Sequence, residues 1–396
     1  MFKKEELKLL WPFYLTALVH PSLISAYAVI YLVGVGLSLF QIGILMMVNA
    51  GIHILCDIPT GAVADIFGRK ASVILSVFFS GVLFILIPLS SNFYYLLLLF
   101  AIWGVTQTLE TGADQAWVVS YLKHHKRAGF IEEYYSKFAS ISNIGGVVWP
   151  LAAAFIVATI GIKHVWTFQG MFTLVAALIL LFAGEHFKRK KTHIKQLFSK
   201  TLRQSKESIN YGMKHPVILK MIISLTFFWF VAAGAGLLWQ PYLQGFDMPL
   251  EYFGFLMSLV GILAIFAPLL TIRIAKKFSK KSRYLALLMF IQLLILFAVF
   301  FVDSMMLAAI IIVLLFLAME FVEPVEAPLF QKFLPERKRA TLGSFKSTTG
   351  VFAMGVVMLL GGLVADIIGS RYTLVCLAAF LIIPIVFYLK IGKHKH

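Results

Sequence analysis

The chain has 396 residues, 60% hydrophobic and only 13% charged, with a mean hydropathy of +0.90 and a formal net charge of +17. A soluble domain is about 45–50% apolar and about 25% charged, so this composition argues against a water-soluble globule. The 37 Phe, 14 Tyr and 7 Trp argue equally against a disordered coil.

The N-terminus, MFKKEELKLLWPF, carries a short basic stretch and then a long apolar run, with no small-residue cleavage site after it. It reads as a first membrane span and not as a removed signal peptide. A crossing helix needs about 20 mostly apolar residues. Twelve segments qualify, near 9–33, 41–63, 71–90, 94–119, 134–158, 163–184, 217–243, 251–274, 283–302, 304–328, 340–365 and 371–390. They are continuous runs such as YYLLLLFAIWGV, not the short alternating strands of a barrel. The expected fold class is therefore an all-α membrane protein with twelve transmembrane helices.

An even number of spans returns both termini to one side. With the N-terminus assigned to the cytoplasm, every Lys and Arg except Lys163 and Arg371 falls in a cytoplasmic tail, loop or adjoining helix end. That is the distribution the positive-inside rule requires. The positive charge is thus topological, and no nucleic-acid partner is implied. The expected location is the cytoplasmic membrane, multi-pass, with both termini cytoplasmic. Residues 185–216 divide the chain into two halves, 1–184 and 217–396. This linker is basic, and Ile194, Leu197, Phe198, Leu202 and Ile209 fall near helical spacing with Lys195, Lys200, Arg203 and Lys206 between them. It reads either as a solvated linker or as a helix lying on an anionic membrane surface. Cys56 and Cys376 form no CxxC pair and imply no disulfide or metal site.

The loop after span 2 reads Gly61-Ala-Val-Ala-Asp65-Ile-Phe-Gly68-Arg69-Lys70. Gly61 permits close helix approach, Gly68 a tight reversal, and Asp65 requires a cation or helix terminus nearby. The loop after span 8, from Ile272 to Lys281, keeps the basic end but lacks the Asp and both Gly. The GxxxDxxGRK string, the twelve spans and the 6+6 halves with a basic central loop resemble the major facilitator superfamily over essentially the whole chain. That resemblance implies two pseudo-symmetric six-helix halves and an alternating-access transporter, whose central cavity would be lined by spans 1, 4, 7 and 10. It makes Gly61, Asp65, Gly68, Arg69 and Lys70 a conformational gate, not substrate ligands. The span-5 stretch from Gly145 to Ala154 only partly matches the family's antiporter pattern, with Trp149 and Ala153 among the departures.

Ionisable groups within spans are the remaining signal. Span 4 carries Glu110 and Asp114 in LETGADQAW, and helical i, i+4 spacing would place both carboxylates on one face. Span 10 carries Glu320, Glu323 and Glu326 around Pro324, which is expected to kink the helix. Crowded, desolvated carboxyls hold protons more tightly, so they can exchange a proton near neutral pH or neutralise a cation. For Asp114 and Glu326, ion pairing at the helix ends is an equal reading. His20, before Pro21 in span 1, is a proton relay or a packing histidine. His53 reads as structural. On span 7, Trp239 and Gln240 would offer a ring and an amide if they face inward, and otherwise face lipid. No P-loop, HExxH, GxSxG or GxGxxG motif occurs, so neither an enzyme activity nor a cofactor is implied.

The function expected is proton-coupled export of an amphipathic or cationic small molecule by a monomeric secondary transporter. Transport of a neutral solute (sugar, peptide or metal chelate) and an uncoupled lipid scrambler or membrane receptor are the alternatives.

Overall fold

The computed structural model describes residues 4–19, 22–186 and 209–392, with the side chains of residues 4, 5, 58, 59, 61–67, 337 and 340 outside the description. Among the described residues the chain is helical throughout, without strands. Twelve helices are long and apolar enough to cross a membrane: Glu6–Ala26, Leu39–Asp57, Arg69–Leu89, Phe93–His124, Ala128–Ile160, Lys163–Leu181, Pro216–Gln244, Glu251–Lys276, Lys281–Phe301, Met305–Lys332, Thr341–Ile368 and Ser370–Ile391. They are numbered spans 1 to 12 below. The expected boundaries agree to within six residues except at span 1. There the helix is described over Lys4–Val19, and a 3-10 turn at Leu23–Ala26 leads into a separate short helix, Ala28–Gly34. His20 and residues 187–208 of the linker, including its expected surface helix, lie outside the described residues.

The chain forms two compact units. The first comprises Met1–Tyr31, Gly51–Leu197 and Leu250–Gly261, and the second Leu32–Ala50, Phe198–Pro249 and Ile262–His396. The division therefore falls inside spans 2 and 8. In the second unit, the early part of span 2 packs on span 11 with backbone nearly touching backbone. A Cβ at Gly43 would lie 2.2 Å from the Met358 carbonyl oxygen, and one at Gly362 would lie 2.2 Å from that of Leu39. Asp366 fixes the register by accepting from the N–H groups of Leu39 and Phe40, both at 2.9 Å. These are orphan donors of a helix N-terminus, where a carboxylate is most favourable. In the first unit, the early part of span 8 seats against span 5 in the same manner. Gly254 meets the Pro150 carbonyl, and Ser258 Oγ donates to the Val147 carbonyl at 2.8 Å. Helices in lipid gain association energy from such small-residue contacts, since lipid tails are as apolar as leucine. Gly362→Leu is expected to destabilise the protein by several kcal/mol, as overpacked and displaced contacts do. Thermal unfolding in detergent checks this, and an unchanged midpoint would contradict the packing.

Candidate functional site

Span 4 is not one helix. It runs as Phe93–Glu110, breaks at Thr111–Gly112, and resumes as Ala113–His124. Gly112 has φ +74°, a left-handed conformation that glycine adopts without steric cost. This corrects the expectation that Glu110 and Asp114 share a helix face at i, i+4. Glu110 is the last residue of one segment, and Asp114 lies in the first turn of the next.

The break takes the helical i+4 donors from carbonyls at the end of the first segment, Thr108 and Leu109 among them. Span 3 carries Ser72, Ser76 and Ser80 at i, i+4 spacing, one above another on the face toward span 4. Ser72 Oγ donates at 2.6 Å to the Leu109 carbonyl, whose i+4 residue lies beyond the break, and Ser76 Oγ adds a bond of 2.7 Å to the Thr106 carbonyl one turn earlier. From span 2, Thr60 Oγ1 donates to the Thr108 carbonyl at 3.1 Å, and His53 Nε2 lies 3.3 Å from Thr111 Oγ1. The polar residues of spans 2 and 3 are therefore the partners that make an interrupted span tolerable in lipid.

Both carboxylates line one cavity of about 570 Å³, built wholly from the first unit. Glu110 is half-buried and lies 3.5 Å from Ser76 Oγ, and Asp114 is also half-buried. Around them stand Trp117, Tyr134, Tyr135, Phe138 and Trp149, with Phe13 behind. Phe13 meets Trp117 edge-on at 4.8 Å and Tyr134 edge-on at 6.3 Å, within the spacing of favourable aromatic pairs. Among the described residues, no Lys, Arg or His lines the cavity. Its size suits a small organic ligand. The chemistry it offers is two carboxylates set among electron-rich ring faces.

The gate string shares a wall with this cavity. Gly68 reverses the chain at φ +102°. Arg69 Nη1 then donates to the Ala116 carbonyl at 2.7 Å and to Ser120 Oγ at 3.0 Å. Both acceptors belong to Ala113–His124, the segment that starts with Asp114 in its first turn. Lys70 Nζ donates to the carbonyls of Leu181 and Ala183 at the end of span 6, at 2.8 and 2.7 Å. Glu185 accepts from the Lys70 backbone N–H at 2.9 Å. Gly61 and Asp65 lie on the Leu39–Phe67 helix, with their side-chain surroundings outside the description.

Span 10 repeats the interruption. It runs as Met305–Glu320, turns at Phe321–Val322 and resumes as Glu323–Lys332, with Pro324 near the start of the second segment. Gln292 of span 9 donates to the Ala318 carbonyl at 3.2 Å. Glu320 and Glu323 flank the turn and are exposed. Glu326 is buried and pairs with Lys346 at 2.8 Å. Trp239 and Gln240 are buried in the second unit, with Trp239 edge-on to Phe316 at 5.8 Å. They do not line the cavity around Glu110.

Two groups escaped the sequence reading. Glu6 is fully buried, accepts from Tyr14 Oη and pairs with Lys137, which also pairs with Glu133 at 2.8 Å. In KKEEL it looks like a solvated helix start, and Lys137 looks like one more topological charge. Only the i, i+4 spacing of Glu133 and Lys137 hinted at pairing. The tyrosines of span 5 were likewise hidden, because Tyr134 and Tyr135 sit where an aromatic belt would also place them.

The model of the Major Facilitator Superfamily matches residues 13–350. The chain is 23% identical over 386 residues to the uncharacterized MFS-type transporter YxaM of Bacillus subtilis (strain 168), covering 94% of this chain and 93% of that protein. Among solved structures it resembles a bacterial homologue of the human lysosomal transporter Spinster, inward-facing and unoccupied (TM-score 0.76, 16% identity, 99% of this chain and 98% of that one). It also resembles the nucleoside transporter NupG (TM-score 0.73, 12% identity, 97% and 99%). A D-xylose–proton symporter has the same fold (TM-score 0.66, 15% identity, 97% and 94%). The chain belongs to the Major Facilitator Superfamily: it is a multi-pass membrane transporter of small molecules and not an enzyme.

Proposed function

We propose that this transporter exports an amphipathic or cationic compound in exchange for protons across the cell membrane, as a monomer with both termini cytoplasmic. The halves 1–184 and 217–396 act as the two moving bodies of alternating access, joined by the linker 185–216. The observation that carries this reading is the lining of the first unit's cavity, with Glu110 and Asp114 among Trp117, Tyr134 and Trp149 and no basic residue among the described ones. A carboxylate pair attracts a cation, ring faces add about 0.5–2 kcal/mol each through cation–π contact, and a proton competes for the same oxygens. That competition couples the two movements. Glu320 and Glu323 flank the matching interruption in span 10 and supply further carboxyls for proton exchange. His20, Trp239 and Gln240 belong to the same substrate and proton pathway.

Gly61, Asp65, Gly68, Arg69 and Lys70 gate the cycle. Arg69 holds the segment that begins beside Asp114, so a change at the cavity is felt at the gate. Arg69→Ala is expected to lower turnover by roughly tenfold or more, the worth of lost charge-assisted hydrogen bonds, with substrate affinity little changed. Arg69→Lys should restore part of the turnover. Equal losses in affinity and turnover would remove Arg69 from the gate.

The reading is tested in proteoliposomes carrying a pH-sensitive dye. Addition of a lipophilic cation should release protons in a saturable, protein-dependent manner. Proton movement driven by a sugar or nucleoside instead would favour a neutral-solute carrier, a reading supported by the likeness to NupG and the xylose symporter. Lipid flip without any proton requirement would favour a scrambler.

A further inference from the structure

The second unit contains a cavity apart from the one around Glu110 and Asp114. It has a volume of about 740 Å³. Its lining lies at the ends of five spans: Lys276 is the last residue of span 8, Lys281 the first of span 9 and Lys332 the last of span 10, with His215 just before span 7 and Ile391 at the end of span 12. This is the depth at which lipid headgroups sit. Among the described residues its basic side chains are His215, Lys276, Lys280, Lys281 and Lys332, and no carboxylate lines it. Val217, Ile272, Val325, Leu329 and Phe333 make its apolar side.

Two of the lysines are committed to the protein. Lys280 Nζ donates to the Gly392 carbonyl at 2.6 Å, and Lys281 Nζ donates to the Ala275 carbonyl. Lys280 thus closes the end of span 12 as Lys70 closes the end of span 6. In the first unit a carboxylate, Glu185, accepts from the backbone N–H of Lys70. Among the described residues, the lining of the second unit's cavity has no carboxylate. Lys276 and Lys332 remain exposed at its edge.

We propose that this cavity binds one anionic phospholipid, with its phosphodiester held by Lys276 and Lys332 and an acyl chain laid along Ile272, Val325 and Leu329. Phosphate accounts for the unbalanced positive charge, and an acyl chain accounts for the apolar wall that a free anion would leave wet. Each lysine near an anionic membrane surface adds about 1 kcal/mol to such binding.

Native mass spectrometry of the purified full-length protein with phosphatidylglycerol, or with phosphatidylcholine of the same chains, tests the proposal. The expected result is one saturable phosphatidylglycerol, bound much more tightly than phosphatidylcholine. The double variant K276Q/K332Q should weaken it roughly thirty-fold. The double variant K123Q/K126Q, at the end of span 4 and in the turn after it in the first unit, should bind as the unaltered protein does. A photoreactive phosphatidylglycerol on the unaltered protein should label residues 272–282 and 324–333, whether or not the variants fold. Equal binding of the two lipids, undiminished binding in K276Q/K332Q, or labelling elsewhere would overturn the assignment. So would displacement by excess inorganic phosphate, which would identify the ligand as a free anion.

Discussion

Glu110→Gln is expected to abolish proton-coupled transport while leaving the protein folded. The side chain ends the first segment of span 4 and lines the aromatic cavity, where its charge faces whatever ligand enters. Its contact with Ser76 Oγ is long, 3.5 Å, so little structural energy rests on it. Neutralising a carboxylate that accepts from, or pairs with, a bound cation removes about 1.5–3 kcal/mol. Affinity should therefore fall roughly ten- to hundredfold. The amide also cannot release a proton, so substrate-driven proton movement should vanish outright. Asp114→Asn should lower affinity by a similar factor. Substrate-dependent proton flux in proteoliposomes, paired with a thermal unfolding midpoint, separates the two effects. Wild-type flux in Glu110→Gln would take the residue out of the mechanism, and a lowered midpoint would mean it is structural.

Lys346→Met should be the most destabilising single charge removal in the second unit. Glu326 is 2% exposed, its Oε2 is held by Lys346 Nζ at 2.8 Å, and its Oε1 has no hydrogen-bond partner. Lys346 also lies 4.9 Å over the Phe330 ring. Methionine preserves the aliphatic stem but strands the carboxylate, and breaking a buried pair from one side costs about 3–5 kcal/mol. Removing both charges should cost less, because nothing then remains to be solvated. The double variant Glu326→Gln/Lys346→Met should accordingly unfold at a higher temperature than Lys346→Met alone. Additive losses in that pair would contradict the ion pair as the cause.

The large-scale architecture was legible because lipid imposes it. Twelve runs of the right length appear in the chain, and the structure contains twelve helices of that kind among the described residues. The chain reversal after span 2 was legible because a glycine there has a clear purpose, and Gly68 turns at a positive φ. What the sequence did not disclose is the interruption of span 4. Hydropathy averages across a break, and one glycine in an apolar run is common. A clue was present in a different helix: Ser72, Ser76 and Ser80 form a polar stripe toward span 4, and Ser72 supplies a donor to the Leu109 carbonyl at the break. Span 10 was more readable, because Pro324 announces that the helix cannot pass unaltered. The cavity was half legible. Glu110 and Asp114 were found by their charge, but by the wrong geometry, since they meet across a break and not along a face. Tyr134, Tyr135 and Phe138 were missed because an aromatic at a span end satisfies the membrane interface equally well. The charge count served topology and concealed chemistry, as Lys137 and Glu6 demonstrate.

Quenching of Trp117 and Trp149 fluorescence by a lipophilic quaternary cation, set against a neutral analogue of the same shape, tests the central claim most directly. Both indoles line the cavity with the two carboxylates. Saturable quenching by the cation, weakened roughly tenfold or more in Glu110→Gln and Asp114→Asn, is the predicted result. Equal quenching by the neutral analogue, or a titration unchanged by both substitutions, would contradict it.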